Sequence, residues 1–213
     1  MTDLSRIFLA TSNPGKVREF REAAQALALK LDPLPGLDHL PPAIEDGDTF
    51  EANARKKAEY YSRHIPHELV LAEDSGLIVD ALNGAPGVYS ARYAAMLQSG
   101  AASHQNSGDQ ENNLALIQQL ERLPKGKFAG KYVSVIALAR DGITLATFTG
   151  QVEGELLTIP RGTQGFGYDP LFYFPTLDST FAELPLEQKR EHSHRGNAFR
   201  SFLEWYGKNA RAL

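Results

Sequence analysis

Thr11-Ser12-Asn13-Pro14-Gly15-Lys16 gathers hydroxyl, amide and ammonium groups between an apolar run and a helical pattern. A strand-to-helix junction of this kind offers unpaired backbone N–H groups and the positive end of a helix dipole, which together suit a phosphate. The spacing is not that of a Walker loop. Ala10 stands where that loop has its first glycine and Val17 where it has its metal-binding Ser/Thr, which argues against an ordinary kinase or GTPase. Taken alone, the stretch also reads as a plain helix cap with a surface lysine.

Two acidic stretches supply the complementary chemistry, Glu45-Asp46-Gly47-Asp48 and Glu73-Asp74-Ser75-Gly76. Hard divalent cations take carboxylate oxygen, and Mg²⁺ is usually held by one or two carboxylates plus substrate phosphates and waters. A carboxylate at a strand end beside such an ion can also deprotonate an attacking water. Asn53 and Lys57 lie four apart on an expected helix and share a face, so Lys57 is a candidate to meet phosphate or to place the water. Singly, Asp46 or Asp48 also reads as a helix cap, Asp74 as a turn residue and Lys57 as a solvated charge. Together with the 11–16 loop they point to a metal–phosphate site. His39, His64 and His67 are expected at the surface, and His192, His194 and Arg195 as a solvated cluster near a helix start. No G-x-S-x-G element supports serine-hydrolase chemistry.

The elements that position these groups can be outlined from pattern. Arg6 to Thr11 is expected as a short buried strand, with Asn13 as N-cap and Pro14 as first residue of a helix whose stripe is Val17, Phe20, Ala24 and Leu27. Asp48 and Glu51 have capping-box spacing before a second helix that buries Phe50, Ala54, Ala58 and Tyr61. Leu69 to Ala72 is a strand running into Glu73–Gly76, and Leu77 to Val79 resumes extended structure. Gly84 to Gly87 is a turn, Gln98 to Gln110 a polar loop, and Leu114, Ile117 and Leu120 mark a helix. Tyr132–Ala139 and Ile143–Thr149 flank Asp141-Gly142, a strong hairpin signal. Arg161 to Phe174 is dense in glycine and aromatics, and Phe199, Phe202, Leu203 and Tyr206 form a terminal amphipathic helix. This order of elements gives an α/β fold with a mixed sheet.

The chain has 213 residues, 42% hydrophobic and 23% charged, enough for one substantial domain or two close lobes, with no internal repeat. A net charge of −4 excludes a global electrostatic footprint for nucleic acid, though not a local basic pocket. Without cysteine there is neither a disulfide framework nor a thiolate metal site. The N-terminal apolar run is too short for a signal peptide and no stretch suits a membrane span, so the expected location is the cytoplasm.

With these segments in hand, the chain closely resembles the inosine triphosphate pyrophosphatase family, the non-canonical purine NTP (dITP/XTP) pyrophosphatases. Five stretches carry the resemblance in order: FLATSNPGKVREF, EDGDTFEANARKKA, LAEDSGLIVDALNGAPGVYSARYA, RGTQGFGYDPLF and TFAELPLEQKREHSHRGNAF. Small departures are Ser12 and Ala52, where the family often has glycine and glutamate, and Glu73 in place of a common aspartate.

The resemblance implies a single domain over residues 1–213, an elongated mixed sheet with flanking helices in two lobes around an active-site cleft. It implies Mg²⁺-dependent hydrolysis of ITP, dITP and XTP to monophosphate and pyrophosphate, commonly by a homodimer. Thr11, Ser12, Asn13, Pro14, Gly15 and Lys16 would hold the triphosphate. Asp74 would be general base and metal ligand, Glu45 the second Mg²⁺ carboxylate, Lys57 an aid at the phosphates and Ser75 a substrate contact. Phe166, Gly167, Tyr168, Asp169, Lys189, His194 and Arg195 would surround the base. Donors there would suit a 6-keto purine and leave a buried donor unmatched against adenine. Modified pyrimidine or methylated nucleotides are the neighbouring substrate class, and a non-catalytic nucleotide sensor is the alternative of another class. The Gly87–Tyr93 stretch is open between partner and substrate.

Overall fold

The structure, a computed structural model, describes residues 6–25, 29–99 and 106–213. Leu27 and residues 100–105 of the expected 98–110 loop therefore lie outside the described residues. Seven strands hydrogen-bond in the order β2-β1-β3-β4-β5-β6-β7. They are β1 (Ile7–Leu9), β2 (Leu31–Pro33), β3 (Leu69–Val79), β4 (Phe128–Arg140), β5 (Ile143–Leu156), β6 (Phe172–Phe174) and β7 (Ser179–Thr180). The sheet is mixed: β1 runs parallel to β2 and β3, whereas β5/β6 and β6/β7 are antiparallel. Among the described residues six α-helices accompany it: α1 (Pro14–Gln25), α2 (Phe50–Ser62), α3 (Tyr93–Ser99), α4 (Asp109–Glu121), α5 (Leu186–His192) and α6 (His194–Asn209). None of the described helices is long and apolar enough to cross a membrane.

The chain divides into two compact units, the first comprising Met1–Asp74, Ser134–Gly150 and Ser193–Leu213, the second Ser75–Val133 and Gln151–His192. The first is built on Ile7, Leu9, Phe20, Leu71, Ile136, Leu138, Phe199 and Phe202, packed into one apolar cluster. The second has its own core, including Leu77, Leu116, Leu120, Tyr132, Phe172 and Phe181. Runs such as Leu69–Ala72 and Val135–Ala139 are buried without interruption, the pattern of strands covered on both faces. In β5, by contrast, burial alternates from Phe148 to Glu153, as period-2 patterning requires.

Local chemistry set several boundaries as expected. Asn13 Oδ1 accepts the Lys16 N–H at 3.1 Å, capping α1 with Pro14 in its first turn. Asp141 and Gly142 have φ of 53° and 79°, the positive pair of a tight two-residue hairpin turn.

Other expectations need correction. The cap of α2 is Thr49, whose side chain accepts the Ala52 N–H, not Asp48. Glu73–Gly76 is not a break between strands but the middle of one 11-residue strand. Gln98 lies within α3, which runs to Ser99, and Gln110 within α4, which starts at Asp109, so both ends of the expected loop are helical. In α4 the buried face is Asn112, Ala115, Leu116 and Leu120, while Leu114 is 59% exposed. Residues spaced strictly by three drift around a helix; the i, i+3, i+4, i+8 set stays on one side.

Candidate active site

In the first unit, parallel pairing of β1 with β3 places Leu9 opposite Leu71. Two residues further along each strand's path lie Thr11 and Glu73, so the loop leaving β1 and the acidic stretch of β3 emerge together. This is the carboxyl end of a parallel pair, where α/β folds bind ligands. Thr11 is half-buried, Ser12, Asn13 and Pro14 are exposed, and Gly15 and Lys16 are half-buried at the start of α1. Thr11 Oγ1 accepts the Asn13 N–H at 3.2 Å, so the loop is shaped by its own side chains.

Three carboxylates and two ammonium groups converge here. Lys57 Nζ, from the buried face of α2, lies 2.8 Å from Glu45 Oε2 and 3.1 Å from Asp74 Oδ1. Lys16 Nζ reaches Glu73 Oε2 at 2.7 Å. Asn53 donates to Asp74 Oδ2 at 3.2 Å and accepts the Gly47 N–H at 2.7 Å, tying the Glu45–Asp48 segment to β3. The shared face of Asn53 and Lys57 is thus the face that meets Asp74. The structure brings together Lys16, Glu45, Lys57 and Asp74 within this unit.

Burial and charge set different proton affinities. Asp74 is 7% exposed, and burial raises its carboxyl above the ordinary value against the pull of Lys57 and Lys16. For Glu45, burial also raises, but Lys57, Lys16 and a hydrogen bond with Asp74 together outweigh it and the carboxyl titrates below its usual range. Lys57 loses by burial yet is held charged by Asp74 and Glu45. A group that takes protons readily therefore sits beside one that stays ionised, the division expected of a base and an ion-binding partner.

Beneath Asp74 lies a second layer that the sequence did not disclose. Glu73 Oε1 accepts from Ser134 Oγ at 2.7 Å and from Arg195 Nε at 3.2 Å, and Arg195 Nη1 also pairs with Glu19. Burial would raise Glu73, but Arg195 and then Lys16 hold it well below the usual carboxylate range. Glu19 and Ser134 were not singled out; the only local hint was Glu19 one helical turn after Lys16. Arg195 and His194 are each 3% exposed at the start of α6, which Ser193 caps by accepting the Gly196 N–H. They are interior residues, not the solvated cluster the local sequence suggested. Arg195 contacts the carboxylates Glu19 and Glu73 of this unit.

In the second unit Ser75 is half-buried within β3. Asp169 Oδ2 accepts the Phe166 N–H at 2.8 Å and pairs with Lys189 Nζ at 2.6 Å, while that ammonium lies 4.9 Å from the Phe166 ring centre. A side chain on Gly165, at φ 76°, would sit 2.0 Å from Asp169 Oδ2, so glycine is required for this turn to close. Tyr168 is buried, and its phenol donates to the Ser90 carbonyl at 2.8 Å, a bracing role. Ser90 also accepts the Leu77 N–H, so this part of the Gly87–Tyr93 stretch is an interior brace. Among the residues expected around a base, Phe166, Asp169 and Lys189 thus meet one another.

Glu45 and Asp74 are the carboxylates here that could hold a divalent cation. Both carboxylates converge on the one Lys57 ammonium, and among the described residues no group of three or more His, Asp or Glu side chains forms a fuller metal cage. A hard ion here would take its other ligands from phosphate and water.

The Ham1 family model matches residues 7–205. A dITP/XTP pyrophosphatase of Acidobacterium capsulatum is 49% identical over 197 residues, covering 92% of this chain and 96% of that protein. One from Thermus thermophilus is 43% identical over 203 residues, covering 94% and 91%. Among solved structures, a HAM1 protein from Coxiella burnetii superposes with a TM-score of 0.81 at 35% identity, covering 96% of this chain and 99% of the other. A nucleoside-triphosphatase, dITP/XTP pyrophosphatase, from Mycobacterium abscessus gives 0.69 at 33%, covering 92% and 97%. The chain belongs to the Ham1 family.

Proposed function

We propose that this protein is a Mg²⁺-dependent nucleoside-triphosphate pyrophosphatase that hydrolyses non-canonical purine nucleotides (dITP, ITP and XTP) to monophosphate and pyrophosphate. The observation that carries the reading is the placement of a buried, proton-accepting Asp74 beside Lys57, Glu45 and the Lys16 end of the α1 loop. The names borne by its relatives supply the substrate class.

In this reading the triphosphate lies on the Thr11–Lys16 loop, where the α1 N-terminus and Lys16 offset its charge. Mg²⁺ bound by Glu45 and Asp74 would further neutralise the phosphates. Asp74 takes a proton from water, whose oxygen bonds to the α-phosphorus as the bond to the β-phosphate oxygen breaks. Lys57 and Lys16 stabilise the negative charge that passes to the departing pyrophosphate. Asn53 keeps the Asp74 carboxylate aimed by its hydrogen bond. Phe166 offers a face for a purine and Lys189 a cation at its edge, so a 6-keto acceptor is matched and a 6-amino donor is not.

The reading extends to a cytoplasmic homodimer that keeps such nucleotides out of the cellular pool. The test is pyrophosphate release from dITP, ITP, XTP, dATP and dGTP, with Mg²⁺ and with a chelator. Release from the 6-keto, non-canonical substrates alone, abolished by chelation and restored by Mg²⁺, is expected. Equal release from dATP, or full activity in chelator, would overturn the substrate class or the metal respectively.

A further inference from the structure

Residues 166–169 form a tight turn in which the Asp169 N–H reaches back to the Phe166 carbonyl at 3.3 Å. Helix α4 grips its tip. Asp109 Oδ2 accepts the Gly167 N–H at 2.7 Å, and Asn113 Nδ2 donates to the Gly167 carbonyl at 3.0 Å. The two side chains are four apart on α4, project from one face, and together satisfy both polar groups of a single residue. Gly167 has φ of 62°, and nothing lies within 4 Å of where its Cβ would be, so packing does not hold it. On the other side Asp169 accepts the Phe166 N–H. Phe166 is therefore set between a carboxylate of its own turn and two side chains of α4. Asn113 Oδ1 is buried without a hydrogen-bond partner among the described residues. An unsatisfied buried acceptor is destabilising, so the amide is explained by its bond to Gly167 rather than by helix stability.

We propose that Asp109 and Asn113 are positioning residues for substrate recognition, which hold Gly167, and through it Phe166, in the orientation that meets the nucleobase. This rests on the reading above that the 166–169 turn faces the base. A binding site discriminates only when its supporting groups keep it in place, and a turn loosened by about an ångström loses contacts made by stacking and directed hydrogen bonds.

The experiment compares Asp109→Ala, Asp109→Asn, Asn113→Ala and Phe166→Ala with the wild-type enzyme in steady-state hydrolysis of dITP and dATP, with thermal midpoints measured in parallel. Asp109→Ala and Asn113→Ala are expected to raise KM for dITP about tenfold, with kcat within about twofold and a smaller preference over dATP. Asp109→Asn removes the charge that favours the helix start but keeps an acceptor for the Gly167 N–H, so it should retain near-normal KM. If Asp109→Asn raises KM and lowers the thermal midpoint as much as Asp109→Ala, the residue serves helix stability and the proposal fails. Unchanged KM and preference in both alanine variants, with KM raised in Phe166→Ala, overturns the proposal and leaves the base site standing. An unchanged KM in Phe166→Ala as well removes the base-site reading, and this inference with it.

Discussion

Glu73 and Asp74 are neighbours on β3, yet their carboxyls are driven in opposite directions. Both are buried, which raises each. At Glu73 the Arg195 guanidinium, then Lys16, reverse that effect; at Asp74 the combined pull of Lys57 and Lys16 does not. One carboxylate is held ionised among its cations, and the next takes a proton more readily than an ordinary aspartate. Asp74→Asn is therefore expected to lose several powers of ten in kcat while nucleotide binding persists. Pyrophosphate release and equilibrium binding measured side by side check this, and near-normal turnover removes Asp74 from the chemistry.

The raised Asp74 also fixes the direction of the pH profile. Acting as the proposed base, Asp74 works ionised, so kcat/KM should fall as pH drops; burial sets this limb above the ordinary 3.8 of an aspartate, and Mg²⁺ bound there would draw it back down. Lys57 lowers both Asp74 and Glu45, so Lys57→Met should move this acid limb to higher pH as well as slow the reaction. A limb that stays in place in Lys57→Met would show that another group governs it.

Glu73 makes a separate prediction about stability. Its folded-state carboxyl lies well below the ordinary 4.5, so its contribution is present above about that pH and is lost as pH falls toward the folded value. Glu73→Gln leaves Arg195 and Lys16 without this anion, and removing one partner of a buried pair costs about 3–5 kcal/mol. The deficit in urea unfolding should be full at pH 7 and shrink as pH falls below 4.5, where the carboxyl of the unfolded chain takes a proton that the folded one still refuses. A deficit independent of pH would place the effect in packing instead of charge.

What could be seen in the sequence was whatever local chemistry decides. The Asn13-Pro14 cap and the Asp141-Gly142 turn are written in adjacent residues, and the common face of Asn53 and Lys57 follows from helical spacing alone. The layer under Asp74 was not visible, because Glu19 and Arg195 are 176 positions apart and Ser134 and Glu73 are 61 apart. Arg195 shows the difficulty most sharply. Beside two histidines and after Glu191 it has the composition of a solvated helix start, and the packing of α6 against β5 together with its ion pairs to Glu19 and Glu73 holds it inside.

That packing depends on Gly150, which supplies the last prediction. A Cβ there would lie 2.2 Å from both the Ala198 nitrogen and the His194 carbonyl oxygen, which are backbone atoms that no rotamer change can move aside. Gly150→Ala should therefore push the start of α6 away from β5, destabilising the protein by about 1–3 kcal/mol or more. It should lower kcat as well, because α6 carries Arg195 to Glu73. Gly126→Ala is the matched control: its Cβ would meet nothing within 4 Å and no positive φ opposes it. That variant should unfold at or slightly above the wild-type temperature, since alanine narrows the unfolded ensemble. Thermal midpoints and dITP turnover for the pair decide the matter. Equal behaviour of the two variants would mean that α6 can withdraw from β5 without consequence, and that the Arg195–Glu73 contact does not depend on their close approach.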